Sequence, residues 1–400
     1  MKIVATTPMA SPYTLARYRR FAQLNPEHEL ILVEFGRISS EYAWAPTDVG
    51  GAFRRVVLSE RPIESHNLFT RIKLIKEALE GLRPDVLVVC GYGVTGMGVA
   101  LQWARSSENS VPIVMLSDST AFDFKRKASK EFVKRRVISQ CASALVAGSP
   151  HRAYMRDLGM PDERIFQGYD VVDNSFFERA TRQIRLAKVA GGGKIELPNK
   201  FFLTSARFLP RKNLSNIIIS YHKYVNCVPS EPFSLVILGD GYLRGKLQAQ
   251  VARLELSKLV FFEGFKQYAD LPRYYGLASA FILASFEETW GLVVNEAMAS
   301  GLPVIVSERC GCAQDLVQNG VNGYTFDPYD VDSLLKLMCS VSSDDCDRHA
   351  MGCASQEIIK RFSPDIFATG LAKAIEVAAS SQPSQGNFFD KLLLWGLVPR

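Results

Sequence analysis

The residues best suited to do chemistry cluster in the C-terminal half of the chain. Glu288 and Glu296 stand with seven residues between them, and Gly291 falls inside that interval. A pocket-facing carboxylate accepts two hydroxyl hydrogen bonds, which is what the vicinal diol of a sugar or a ribose offers. A helical pattern runs from about 291 to 300, Gly301 ends it, and Pro303 opens the next strand. The amides at the start of that helix, from Gly291 through Leu292 and Val293, form a ready anion site. Gly291 has no side chain, so a diphosphate can come close to the backbone there. A plainer alternative stands beside each acid: Glu288 as a first-turn acid matched to the helix dipole, and Glu296 as a solvated helix residue.

A second segment, 205–214, carries Arg207, Arg211 and Lys212 between a strand pattern and a helix pattern. Arginine supplies a planar fork and lysine a point charge, a combination that suits a diphosphate leaving group. The alternative is a solvated basic loop. A third segment holds Gly239, Asp240 and Gly241, a turn that is weak evidence alone. All three segments follow strand patterns of one domain, so they are expected to line one rim.

The elements that would position these groups are legible as alternation. Short apolar runs at 2–6, 30–34, 86–90, 113–116 and 144–147, then at 201–204, 234–238, 260–262, 280–283 and 303–307, are separated by longer helical patterns. Such runs read as buried parallel strands with crossover helices. The expected fold class is α/β: two Rossmann-like, doubly wound parallel-sheet domains facing a central cleft. A Gly-rich break, Gly191-Gly192-Gly193 with Pro198 after it, divides the two strand sets. The expected division is an N-terminal domain over 1–185, a linker over 186–200, a C-terminal domain over 201–375, and a tail over 376–400 that packs back on the body.

Composition excludes several classes. The chain of 400 residues is too long for one ordinary core. Its net charge of +6 is too modest to indicate nucleic acid, and no nucleic-acid module is recognisable. The eight cysteines are scattered without zinc-site spacing, which reads as free and mostly buried thiols. No apolar leader and no run of about 20 apolar residues occurs, so the expected location is cytoplasmic.

Taken together, these segments resemble glycosyltransferase family 4, retaining enzymes of two Rossmann-like domains known as the GT-B fold. The resemblance rests on Glu288 and Glu296 with Trp290-Gly291-Leu292 and Ala297-Met298-Ala299, on Arg207 with Lys212-Asn213-Leu214, on Gly239-Asp240-Gly241, and on Asn322-Gly323 ahead of Phe326-Asp327-Pro328. It is strongest over 201–362. The resemblance implies that Arg207 and Lys212 hold the donor diphosphate with the amides of Leu292 and Val293. It implies that Glu288 bonds the transferred sugar, that Glu296 holds the ribose, and that Gly264, Phe265 and Lys266 lie beside the base. It further implies retention of configuration, a UDP-linked hexose as the commonest donor, and no bound metal or other cofactor. The Asp330–Asp332 and Asp345–Asp347 pairs read as helix caps in preference to metal ligands. Two departures bear on specificity. Asp118 stands where many members carry a histidine, and Ala10-Ser11-Pro12-Tyr13 replaces a Gly-Gly in the first loop, which puts Ser11 and Tyr13 on the acceptor side.

Seven of the thirteen residues 124–136 are Lys or Arg. With Arg17, Arg19 and Arg20 they read as a basic face for an anionic membrane surface, suited to a lipid-linked acceptor, or else as a solvated helix face. Asp123 and Lys127 are the alternative shapers of the acceptor end. The expected function is hexosyl transfer to a glycan or lipid-linked acceptor, as in polysaccharide or glycolipid biosynthesis. The alternatives are a nucleotide-sugar epimerase or phosphorylase on the same fold, and a non-catalytic sugar-nucleotide-binding protein.

Overall fold

The computed structural model describes residues 1–40, 43–46, 51–93, 96–106, 109–123, 126–190, 197–228, 231–381 and 396. Thirteen strands are present among the described residues. They are β1 (Lys2–Thr7), β2 (Glu29–Glu34), β3 (Arg54–Val57), β4 (Val86–Cys90), β5 (Ile113–Ser117), β6 (Ser143–Val146), β7 (Ile165–Gln167), β8 (Phe201–Ser205), β9 (Ser234–Leu238), β10 (Val260–Gly264), β11 (Ala280–Leu283), β12 (Val304–Ser307) and β13 (Gly323–Phe326). The helices are α1 (Pro12–Leu24), α2 (Leu68–Leu82), α3 (Met97–Ala104), α4 (Ala128–Ile138), α5 (Ser149–Asp157), α6 (Asn174–Val189), α7 (Leu214–Cys227), α8 (Arg244–Arg253), α9 (Leu271–Leu277), α10 (Leu292–Ala299), α11 (Ala313–Leu316), α12 (Val331–Ser342), α13 (Arg348–Ile359) and α14 (Pro364–Ser380).

Each strand set forms its own sheet, and every pairing is parallel. The first has the order β3-β2-β1-β4-β5-β6-β7 and the second β10-β9-β8-β11-β12-β13. Both are doubly wound. The order reverses between β1 and β4 in the first sheet and between β8 and β11 in the second, and ligands bind beyond the strand carboxyl ends at such a reversal. Central strands are apolar throughout because helices cover both faces: Val86, Leu87, Val88 and Val89 of β4, and Phe281 and Ile282 of β11, are fully buried.

The compact units differ from the expected division. One comprises Met1–Val171 with Ser363–Arg400, the other Val172–Phe362. Helix α6 goes with the second unit because Arg185 donates to the carbonyls of Gly276 (2.9 Å) and Ser300 (2.6 Å) and Phe177 packs edge-on against Tyr275. The boundary therefore falls ahead of α6, not at 185. Helix α14 returns to the first unit, where the Ser143 hydroxyl donates to the Ala374 carbonyl at 2.7 Å and Phe367 packs edge-on against Tyr18. That return moves the other boundary from 375 to 362. Residues 191–196 of the expected linker and nearly all of the tail after 381 lie outside the described residues.

Two smaller expectations are corrected. Arg17 is not part of a surface cluster: it is buried, pairs with Asp170 at 3.1 Å, and donates to the Val171 carbonyl. All eight cysteines are free, but only Cys141, Cys310 and Cys312 are buried; Cys227 and Cys353 are exposed. Among the described residues no helix is long and apolar enough to cross a membrane. The Asp330 and Asp347 side chains cap α12 and α13, accepting from the Ser333 and Ala350 amides respectively.

Candidate active site

The loops after β8, β9 and β11 meet at the carboxyl edge of the second sheet, where the strand order reverses. Buried Phe208 anchors the first loop against Phe262, with ring centroids 6.0 Å apart. The backbone then makes a single 3-10 turn over Pro210–Lys212 and enters α7 through Asn213, whose φ of 57° is left-handed. Asparagine tolerates that conformation better than most residues. Its amide also ties three loops together, donating at 3.0 Å to the carbonyls of both Ala284 and Pro328.

Backbone bonds join the loops in pairs. Ala206 N–H donates to the Leu238 carbonyl at 3.1 Å, Phe208 N–H to that of Asp240 at 2.8 Å, and Gly239 N–H to that of Gly264 at 2.9 Å. This approach requires Gly239. Its φ is 111°, and a Cβ there would stand 1.9 Å from the Ala206 carbonyl oxygen. On the other side Phe286 N–H donates to the Arg211 carbonyl at 2.8 Å.

The Glu288 segment is held from below as well. Gly311 N–H donates to the Glu288 carbonyl at 3.0 Å and Cys312 N–H to the Trp290 carbonyl at 3.2 Å. Trp290 is buried and its indole N–H donates to Asn295 Oδ1 at 2.9 Å, locking the turn onto α10. Gly291 caps the helix at a φ of 109°, a region that disfavours other residues. The first bond of this turn runs from Val294 N–H to the Gly291 carbonyl, so the Leu292 and Val293 amides precede it.

Of the sequence-predicted groups of this half, Lys212 and Glu288 are brought into direct contact. Lys212 Nζ forms an ion pair with Glu288 Oε2, which also accepts from the Ser285 hydroxyl at 3.2 Å. The side chains are 12% and 11% exposed, so the charges are only partly desolvated. Arg207 stands half-buried in the same loop as Lys212. Glu288 lies ahead of the Gly291 cap and is not a first-turn acid. Glu296 is 1% exposed and accepts from the Tyr275 hydroxyl at 2.6 Å, which rules out a solvated helix position. At the end of β10, Lys266 sits 3.4 Å from Glu263 and over the Tyr274 ring; the hydrogen bond with Tyr274 holds its ammonium above the ordinary range, against an opposing effect of burial. Phe265 beside it is 40% exposed.

The other sequence-predicted residues belong to the first unit. Asp118 follows β5 and is half-buried. It lies near Cys90, whose thiol is 2.7 Å from the Tyr169 hydroxyl. Burial pushes that thiol up to about 11, the Tyr169 hydrogen bond opposes the rise, and the charges of Asp118 and Asp170 add to it. Ser11 caps α1, accepting from the Thr14 amide at 3.2 Å, and the Tyr13 ring meets Trp44 edge-on at 5.8 Å. Asp123 is buried and braces its own turn, accepting from the Thr120 amide (2.8 Å) and Arg126 (2.9 Å). Lys127 is exposed at the start of α4. In the basic stretch, Phe124 and Lys125 lie outside the described residues. Arg126 and Lys134 are tied to Glu131 and Tyr154, while Lys127, Lys130 and Arg135 are exposed beside a 52% exposed Phe132.

Sequence reading missed Tyr275 and Ser285 as partners of the two acids, and the loop carrying Cys310 and Cys312 as their support. The doublet Tyr274-Tyr275 lies in a short helix whose other residues are apolar except Arg273, and nothing in its spacing marks one ring for the core and a carboxylate.

Residues 192–358 match the family model described as glycosyl transferases group 1. That segment contains the whole rim described above. Mannosylfructose-phosphate synthase of Agrobacterium fabrum is 26% identical over 243 residues, covering 58% of this chain and 51% of that protein. The chain thus spans about half the length of this relative, and a quarter of the sulfoquinovosyl transferase of Arabidopsis thaliana, which is 31% identical over 32% of this chain. The GDP-mannose-dependent alpha-mannosyltransferase of Corynebacterium glutamicum is 26% identical over 355 residues, covering 83% of this chain and 79% of that one. In structure, sucrose-phosphate synthase from Thermosynechococcus elongatus superposes with a TM-score of 0.73 at 17% identity over 94% of this chain and 98% of that one, which establishes the shared fold. Within the segment that matches this family model, the Glu288 and Lys212 loops are the parts that meet at the strand-order reversal.

Proposed function

We propose that the protein is a retaining glycosyltransferase of the family 4 type, moving a hexosyl group from a nucleoside-diphosphate sugar to a glycan or lipid-linked acceptor hydroxyl. The observation that carries this reading is the meeting of Lys212 and Glu288 beside the helix-start amides of α10. Cations and amides suit a diphosphate, and a neighbouring carboxylate suits sugar hydroxyls.

In this reading Arg207, Lys212 and the amides of Leu292 and Val293 bind the diphosphate. Its arrival draws Lys212 away from Glu288, whose carboxylate then accepts from the transferred sugar. The bond from the anomeric carbon to the phosphate oxygen breaks, and the leaving diphosphate keeps the electron pair. The acceptor oxygen bonds the same carbon on the same face, and its proton passes to the departing phosphate. The cations stabilise the charge that develops on the leaving group, and the reading calls for no metal. Glu296 holds the ribose, with Gly264, Phe265 and Lys266 beside the base. Asp118, Ser11 and Tyr13 are assigned to the side of sugar and acceptor.

The donor proposed is a UDP-hexose. GDP-mannose is the competing donor, since a relative that covers 83% of this chain is named for it. Lys212→Ala is expected to lower kcat on the order of 10²- to 10³-fold with unchanged circular dichroism, read as nucleoside diphosphate released from UDP-glucose and GDP-mannose in the presence of candidate acceptors. Activity within threefold of wild type would end the diphosphate assignment. Release of no nucleoside diphosphate by the wild type with any donor would favour a binding protein instead.

The proposed location is the cytoplasm, at the surface of an anionic membrane. Exposed Phe132 among Lys127, Lys130 and Arg135 supports it, since a basic surface with an aromatic wedge binds anionic lipid. Co-sedimentation with phosphatidylglycerol vesicles is expected to fall several-fold on Phe132→Ala and to vanish at high salt. Equal sedimentation with neutral vesicles would contradict this placement.

A further inference from the structure

Glu296 is buried on α10, and Tyr275 of α9 donates its hydroxyl to one oxygen of the carboxylate at 2.6 Å. That phenol has no freedom to look elsewhere. Tyr275 is 0% exposed, and its ring is wedged between Phe177, edge-on at 5.8 Å, and Phe281, tilted at 5.7 Å. Burial first, and then the Glu296 carboxylate, push the phenol well above its ordinary range, so it stays a protonated donor. The Ser205 side chain, at the mouth of the Arg207 loop, opposes that rise.

A glutamate side chain has several rotamers, and a ligand that needs one of them must bear the cost of ordering it. A fixed donor on one oxygen removes that freedom beforehand and favours the acceptor form of the carboxyl. We infer that Tyr275 is a positioning residue that presets the Glu296 carboxylate for ribose hydroxyls, and so sets the preference for ribo- over deoxyribonucleotides. The inference rests on the reading of Glu296 as the group that holds the donor ribose.

Its test uses the full chain and six probes: UDP, GDP and the 2′-deoxy and 3′-deoxy counterpart of each, titrated by calorimetry into wild type and Tyr275→Phe. The wild type is expected to bind its preferred ribonucleotide about tenfold more tightly than a deoxy counterpart, as suits a hydrogen bond to a charged group. In Tyr275→Phe the ribonucleotide is expected to weaken to near the deoxy level while the deoxy affinity stays within about twofold. That unchanged affinity shows the pocket to be intact. Equal weakening of both nucleotides would assign Tyr275 to the core alone and overturn the inference. So would a variant that still discriminates as wild type does, and either result leaves the glycosyltransferase reading standing. A wild type that does not discriminate at all, or binds none of the probes, removes the ribose role of Glu296 and the inference with it. Should Tyr275→Phe fail to melt cooperatively, Tyr275→Met fills the site with a flexible apolar chain and carries the same titrations.

Discussion

The carboxyl edges of the two sheets have the same doubly wound geometry and opposite chemistry. In the second unit the edge is cationic and backbone-rich: Arg207 and Lys212, the start of α10, and loops joined by main-chain bonds across β8, β9, β10 and β11. In the first unit the edge presents a thiol against a phenol, the aromatic pair Tyr13 and Trp44, and the carboxylate of Asp118. Fixed amides and cations suit a multiply charged group of constant shape. Aromatic faces beside Asp118, with Asp170 already paired to Arg17, suit a neutral, hydroxylated partner whose shape varies. In the proposed reading one architecture carries two recognition styles, decided by the residues that follow the strands.

The sharpest way to break this contrast is to disturb the main-chain contacts of the second edge. Gly239→Ala is expected to destabilise the protein by at least ~3 kcal/mol, because its Cβ meets the Ala206 carbonyl and its φ is unsuited to alanine. Urea unfolding would read this. Gly245→Ala, at a helical position with no atom within 4 Å of the added Cβ, is the matched control and is expected to be neutral or to stabilise by up to ~1 kcal/mol. Similar losses at both positions would refute the close approach of the two loops.

A smaller effect probes the first unit. The Glu131 carboxyl is pushed up by burial, but the hydrogen bonds of Tyr154 and Lys134 outweigh this and hold it below its ordinary range. The unfolded chain therefore binds the proton more readily. The resulting stability is present above the unfolded pKa of about 4.3 and disappears as pH falls through the lower folded value. With the side chain 21% exposed, screening limits the effect to about 1 kcal/mol or less. Glu131→Gln is expected to flatten the acid limb of the melting temperature between pH 5 and pH 3 relative to wild type, within ~1 kcal/mol. An unchanged acid limb would remove the Tyr154 cluster from the account of that unit.

Much of this was legible in the sequence, for a physical reason. Central parallel strands are covered on both faces, so β4, β9 and β11 appear as apolar runs with the expected bounds, broken only by Ser234 at the start of β9. The strands that escaped notice, β3, β7 and β13, all lie at sheet edges, where one neighbour and partial exposure admit Arg54, Gln167 and Tyr324. The unit boundaries escaped because they depend on packing. Whether α6 joins the sheet before it or after it turns on Arg185 and Phe177 finding partners more than ninety residues away. In the candidate site, glycines and charges at strand ends could be read directly. The burial of Glu296 could not, since only the fold brings Tyr275 to it.

The central claim is that the rim between β8 and β11 grips a diphosphate. Calorimetric titration of UDP and GDP against uridine and guanosine, in wild type and in Lys212→Ala, tests it most directly. The account predicts that wild type binds one diphosphate at least ~100-fold more tightly than its nucleoside, and that Lys212→Ala loses most of that margin while nucleoside affinity is kept. A wild type that binds nucleoside and diphosphate alike, or a margin untouched by the loss of Lys212, would contradict it.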